Sequence, residues 1–358
     1  MPGTTTPRSA ATSARSSCRR GRAPDQYEPL AAAADAEKIF YRSGYGGELE
    51  LVAWVSKYKR DRAAKPAVLF LHGGNAMGTG HWQLMKPYMD AGYVVMMPSL
   101  RGENGQRGNF SGFYDEVDDV LAATERLAHL PGVDPQRLFI AGHSIGGTLT
   151  MLTAMSTHKF RAAAPISGNP NAFRFFSRYP QDIRFDDSNA HEFEVRSALC
   201  YAHSFKCPIR VVHGTEEAHF NDRADLLARR ARAAGTHIET DTVAGNHTSA
   251  LPAEIEQSIR FFPRGGGLIS PPLQMEGDRP YIARMTTDAE TMIVPNDFPE
   301  LRSLAWNRDP ARAMPANEAF ALYERNWRFI DTGRLTEREK QLIRDLTATY
   351  GNGVLLVS

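Results

Sequence analysis

The strongest constraint on the fold lies at one corner of the chain. The stretch "RLFIAGHSIGGTLTMLTAMSTH" from Arg137 passes from a short apolar run, through a serine set between glycines, into a segment with few charges and many small residues. That succession predicts a buried strand, a sharp turn and a helix packed closely on the sheet. Gly142-His143-Ser144-Ile145-Gly146 fits the G-x-S-x-G pattern, in which the tight turn strains the serine backbone and lifts its hydroxyl clear of the sheet. A Cβ at either glycine would collide with the neighbouring strand or helix. With 29 glycines among 358 residues, three such positions also recur by chance. The weight therefore rests on their placement between strand and helix, and on partners in the right order.

The rest of the first two thirds alternates in the same way. "KIFYRS" and "ELELVAWVS" flank "GYGG" as a β-hairpin, and "AVLFLHGG" is a strand ending in glycines. "HWQLMKPYMDAG" predicts one helix closed by Gly92, "YVVMMPS" another strand, and "LRGENGQRGNFSG" a polar loop. In "YDEVDDVLAATERLAHLPG", Val117, Val120, Leu121 and Leu127 fall at helical spacing. After the serine corner come the strands "RAAAPIS" and "PIRVVHG", the helix "DRADLLARRARAAG" and the strand "HIETDTV". Regular β-α succession predicts an α/β fold with a mostly parallel, doubly wound sheet covered on both faces. Ligands of such sheets bind at the carboxyl ends of the strands. Residues 169–206 interrupt the rhythm with aromatics and mixed charges, which predicts either an insertion shaping a pocket above the sheet or an ordinary packed excursion.

A chain of this length has room for one large α/β domain and a small appendage. We expect a disordered tail over 1–27, the α/β domain over 28–262, a linker over 263–280 and a C-terminal accessory region over 281–358. The tail is rich in arginine and lacks the apolar core of a secretory signal; a transit peptide or an over-extended start would look similar. In the last portion, "NEAFALYERNWRFI" puts Phe320, Tyr323, Trp327 and Ile330 on one helical face. "TEREKQLIRDLTATYG" opens with Thr336 and Glu339 in capping-box spacing and stops at Gly351. This mainly helical appendage shows no chemical motif, and covering the larger domain, self-association as a homo-oligomer and partner binding are all open to it.

Composition narrows the partners. Lys+Arg at 42 against Asp+Glu at 41 gives a net charge of +1, no electrostatic reason to expect nucleic acid or an anionic membrane. No apolar stretch approaches the ~20 residues of a membrane-spanning helix. Cys18, Cys200 and Cys207 are too few and too irregular for a disulfide framework or a zinc site, so a reducing, cytoplasmic setting is expected. "EEAH" from Glu216 to His219 lacks a second ligand cluster at suitable spacing, so neither a metal nor any other cofactor is expected.

A serine hydroxyl is a weak nucleophile at neutral pH and needs a base, usually a histidine whose other nitrogen is held by a carboxylate. In α/β-hydrolases the chain order is serine, acid, histidine. Here Ser144 is followed by the acidic pair Glu216-Glu217 in the loop after "PIRVVHG", and then by His247 in "AGNHTSA", between the last strand and a final helix. Asp222 is a further acidic alternative. His72 and His213 each precede a glycine at a strand end and are read as structural; His143 is expected to contact neighbouring loops without taking part in chemistry. The oxyanion of an acyl-transfer intermediate needs donors, expected from the backbone N–H of Ile145 and from "HGGN", where Gly74 or Asn75 is suitably placed.

Taken together, "LFLHGG", "PSLRGENGQRG", "VDPQRLFIAGHSIGG", "VRSALCYAHSFKCPIRVVHGTEE" and "AGNH" resemble the catalytic domain of the prolyl oligopeptidase family and its dienelactone-hydrolase-like relatives, from about Lys38 to Phe262. The resemblance implies an α/β-hydrolase fold, with Ser144 as nucleophile, Glu217 as acid, His247 as base, and Ile145 and Gly74 as oxyanion donors. Two positions depart from the pattern. The family usually has aspartate at 217, which keeps Glu216 and Asp222 open, and an aromatic residue at 145. The large oligopeptidases gate their site with a β-propeller, and the segment ahead of Lys38 is too short for one, so small esters, amides and short peptides are all expected substrates. A non-catalytic binding protein of the same fold and an acyltransferase using the same residues are the competing expectations.

Overall fold

The computed structural model describes residues 21–24, 32–59, 63–262, 292–304, 311–327, 330 and 335–350, without the side chains of 218–222, 303, 325 and 326. The chain divides into two compact units, 1–269 and 270–358. The linker expected over 263–280 lies outside the described residues.

The first unit is built on one eight-stranded sheet: β1 (Ala36–Ser43), β2 (Leu49–Ser56), β3 (Lys65–Leu71), β4 (Val94–Pro98), β5 (Val133–His143), β6 (Phe160–Ile166), β7 (Ile209–Gly214) and β8 (Ile238–Val243). Their spatial order is β1-β2-β4-β3-β5-β6-β7-β8. β1 and β2 are antiparallel, as is the β2/β4 pair, and every pairing from β4 through β8 is parallel. This is the α/β-hydrolase arrangement, with the expected hairpin at its antiparallel edge.

Side-chain alternation sorts the strand residues onto two apolar faces. Leu69, Leu71 and Ile140 join one core with α3 (Glu116–Ala128), α4 (Ile145–Ser156) and α7 (Ala218–Ala233). Val68, Phe70 and Phe139 join the other with α1 (Thr79–Gln83), α2 (Lys86–Asp90) and α8 (Leu251–Phe261). The strands are buried on both sides because both faces are covered. Val117, Val120 and Leu127 of α3 are buried, as their spacing predicts.

The single helix expected over "HWQLMKPYMDAG" is instead two short ones, α1 and α2. Pro87 has no N–H to offer the carbonyl of Gln83, so the ladder breaks there and restarts with proline in its first turn. The excursion at 169–206 contains α5 (Ala172–Arg178) and α6 (Ala190–Glu194) and several 3₁₀ turns. Phe175, Phe176, Phe185 and Phe193 pack edge-on within it. Of the tail expected over 1–27, Gly21–Pro24 are described, and they pair with the 102–110 loop: Ala23 N–H donates to Gly102 O and Phe110 N–H to Gly21 O.

The second unit contains the two-residue strands β9 (Met292–Ile293) and β10 (Met314–Pro315), paired antiparallel, and the helices α9 (Pro299–Leu304), α10 (Ala316–Asn326) and α11 (Glu337–Tyr350). Phe320, Tyr323 and Ile330 are buried in its core with Leu301, Ile343 and Leu346, and Trp327 packs against it. Only half of the expected capping box forms. Glu339 N–H donates to Thr336 Oγ1. The Glu339 carboxylate, completely buried, turns to the start of α9 instead, where it accepts from the N–H groups of Glu300 and Leu301 and from the Tyr323 hydroxyl. Gly351 and the terminal "VLLV" lie outside the described residues.

Candidate active site

β5 ends at His143 and α4 begins at Ile145, so Ser144 is the whole of the corner, with φ 56° and ψ −117°. A non-glycine residue held there costs of order 1–3 kcal/mol and persists only where its surroundings over-determine it. They do so here. The Ser144 N–H is bonded to Ile166 O at 2.9 Å, and a Cβ on Gly146 would overlap the carbonyl oxygens of Leu71 and His72 at the end of β3. The helix can start this close to the sheet only because position 146 has no side chain.

The acid comes from the loop between β7 and α7. Glu217 is 3% exposed, and its Oε1 lies 2.5 Å from Nδ1 of His247. Its other oxygen accepts from the Gly214 N–H at 2.9 Å and the Ser167 hydroxyl at 2.6 Å. Burial alone would raise this carboxyl; the hydrogen bonds from His247, Ser167 and Gly214 outweigh it and hold the group at about 2. Glu217 is therefore an ionised partner that fixes the His247 proton on Nδ1 and leaves Nε2 as the basic nitrogen. The extra methylene relative to aspartate is used, since one oxygen serves the imidazole while the other reaches back to the β7 and β6 ends. Glu216 borders the cavity with an exposed side chain. The side chains of Asp222 and His219 lie outside the described residues.

His247 follows β8 in the loop that leads to α8, and its side chain is 41% exposed. His143, next to the serine, lies against it with ring centroids 4.6 Å apart. Burial and the neighbouring His247 lower His143 to about 4, so its ring is neutral and donates from Nε2 to the His247 carbonyl at 2.8 Å.

The "HGGN" loop is held from below. Burial disfavours charge on His72, while the carboxylate of Glu103, 3.1 Å from Nε2, works against it and raises the group, so a buried imidazole–carboxyl pair lies behind the loop. Glu103 also accepts from Leu100 N–H, and Asn104 bonds both the N–H and the carbonyl of Met77. Gly74 takes φ 70° at the bend, and it borders one small recess together with Ile145, His72 and Glu103. The composition of "LRGENG" predicts a polar loop and gives no sign that its acid and amide, Glu103 and Asn104, tie down the stretch from His72 to Met77.

Ser144, Ser167, Glu217 and His247 open onto one cavity of about 460 Å³. The 169–206 excursion supplies Arg174, Phe175, Arg178 and Tyr179 to its wall, and Arg223 and Asn246 close other sides. Among the described residues, no helix is long and apolar enough to cross a membrane.

Sheet order, strained serine corner and buried acid–imidazole pair define the 32–262 body as an α/β-hydrolase. Within that class the chain resembles the prolyl oligopeptidase family, whose sequence profile matches residues 81–250. The uncharacterized peptidase YuxL of Bacillus subtilis is 29% identical over 171 residues, which cover 42% of this chain and 26% of that protein. YtmA, an uncharacterized peptidase of the same organism, is 24% identical over 183 residues, covering 48% of this chain and 71% of its own. The solved structure of a Mycobacterium tuberculosis puromycin-hydrolyzing peptidase superposes with a TM-score of 0.55 at 21% identity, over 63% of this chain and 39% of that one. The matched region thus spans about a quarter of YuxL, and the structural likeness shows the shared fold.

Proposed function

We propose that the chain is a serine hydrolase that cleaves a carboxylic ester, an amide or a short peptide through an acyl-enzyme. The observation that supports this most is the 2.5 Å pairing of Glu217 with His247 on the cavity that also holds the strained Ser144. In this reading Ser144 Oγ attacks the carbonyl carbon while His247 Nε2 takes its proton, and Glu217 steadies the imidazolium that forms. The oxyanion is met by the backbone N–H of Ile145, the first residue of α4, and by that of Gly74; such donors are typically worth about 2.7–4 kcal/mol each. His247 then returns the proton to the leaving alcohol or amine, and water repeats the sequence on the acyl-enzyme. The likeness to peptidases over the matched segment supports this chemistry.

A panel of p-nitrophenyl esters beside aminoacyl-nitroanilides, run with the intact protein and with Ser144→Ala, tests the reading. Turnover of at least one class that disappears with Ser144 is expected. Turnover equal in the two proteins, or none with any carbonyl substrate, contradicts it.

A further inference from the structure

Behind Glu217 lies a second glutamate that the chemistry above does not use. Ser167 follows β6 with φ 47°, its N–H fixed to Val212 O at 2.8 Å. Its hydroxyl oxygen lies 2.6 Å from Glu217 Oε2 and 3.0 Å from Glu254 Oε1. Glu254 stands in the first turn of α8, is 0% exposed, and its remaining oxygen is buried without a hydrogen-bond partner.

Proton counting decides how the three groups fit. A serine hydroxyl has one proton, so it donates to only one of the two carboxyl groups. If both were ionised, the other contact would set lone pair against lone pair, with two like charges sharing a buried site. One carboxyl must therefore hold a proton. Glu217 accepts three hydrogen bonds, including the one from Nδ1 of His247, whereas Glu254 has the Ser167 oxygen alone. The directed chain that results runs from Glu254 Oε1–H to Ser167 Oγ, and from Ser167 Oγ–H to Glu217 Oε2.

We propose that Ser167 and un-ionised Glu254 are positioning residues for the Ser144, Glu217 and His247 assembly, a buried acid and hydroxyl that together aim the Glu217 carboxylate at the imidazole. The proposal rests on the catalytic reading above. Three separate segments meet in it: the β6 end, the loop after β7, and α8. Burial raises Glu254 to about 8, opposed by the Ser167 hydrogen bond and reinforced by the charge of Glu217. Ser167 and Glu217 are the groups that act on it; His247 lies beyond Glu217, and along α8 the exposed Glu256 and Arg260 pair with each other. When Glu254 ionises it can no longer donate, and it competes with Glu217 for the one hydroxyl proton.

The test compares Glu254→Gln, which keeps a donor and can never ionise, with Glu254→Leu, which fills the space without either property. In the intact protein kcat should fall as pH rises through about 8. Glu254→Gln should keep the neutral-pH kcat and lose that fall, while Glu254→Leu should lose about tenfold in kcat at unchanged KM. An infrared difference spectrum at neutral pH between the intact protein and Glu254→Gln should contain the carbonyl stretch of an un-ionised carboxyl, a readout independent of turnover and of how Glu254→Leu folds. An absent band, a Glu254→Leu protein as active as the original, a Glu254→Gln protein as impaired as Glu254→Leu, or an unaltered alkaline fall in Glu254→Gln each overturns the proposal. Ser144→Ala separates this from failure of the catalytic reading: if it still turns over substrate, that reading falls, whereas its inactivity beside a flat Glu254 series removes only the positioning role.

Discussion

The imidazole of His143 donates to the main-chain carbonyl of His247 at 2.8 Å, and the two rings lie 4.6 Å apart. The residue beside the serine thus holds the loop that carries His247, and its contact is to the backbone, which fixes position without competing for either ring nitrogen of His247. His143→Phe keeps an aromatic ring against His247 and removes the donor. It should lower kcat about ten- to hundredfold, the scale of a misplaced catalytic group, with KM little changed. Steady-state kinetics on the best ester substrate checks this; a kcat equal to that of the original protein would show that the loop is held by other means.

Glu217 makes two distinct predictions. Glu217→Gln keeps the size but loses the charge that steadies the imidazolium, and should reduce kcat about 10⁴-fold. Glu217→Asp keeps the charge but cannot span both His247 and the Gly214 and Ser167 donors, and should fall between the two. The same residue contributes to acid stability, with the sign set by its depressed titration: an unfolded glutamate protonates near 4.5, the folded one near about 2. Its contribution is complete above about 4.5 and is lost as pH falls from there through about 2. Thermal unfolding against pH should show a shallower acid limb for Glu217→Gln than for the intact protein.

Gly146 is predicted to be irreplaceable for stability as well as for activity. A Cβ there meets main-chain oxygens of Leu71 and His72, which cannot swing aside as a side chain would. Gly146→Ala should cost about 3 kcal/mol, at the upper end of overpacking penalties, visible as a lowered denaturation midpoint in urea. Gly46, which has nothing within 4 Å of its missing Cβ but takes φ 68°, is a control for glycine loss without a clash.

How far this was legible beforehand follows from the range of the interactions. The serine corner and each strand or helix of the rhythm are local patterns, read within a window of about a dozen residues, and the order of Ser144, acid and His247 needs only their positions along the chain. The choice of Glu217 over Glu216 was carried by the family resemblance, because both residues leave the same strand and only the turn geometry aims one of them inward. Glu254 was illegible: in "LPAEIEQSIR" it reads as one more polar helix position, and its partner Ser167 is 87 residues away. The Glu339 carboxylate was misread for the same reason, since a capping-box spacing describes one helix end and cannot see that a second helix start lies within reach. In "HWQLMKPYMDAG", expected as one helix, the break is set by Pro87, whose missing N–H is visible in the sequence.

The most direct measurement of the central claim is covalent. The intact protein is treated with a fluorophosphonate, and the adduct is located by mass spectrometry of its peptides. The account predicts a single adduct on Ser144, absent from Ser144→Ala and formed far more slowly in His247→Ala. No adduct at Ser144, or equal labelling of the intact protein and Ser144→Ala, would contradict it.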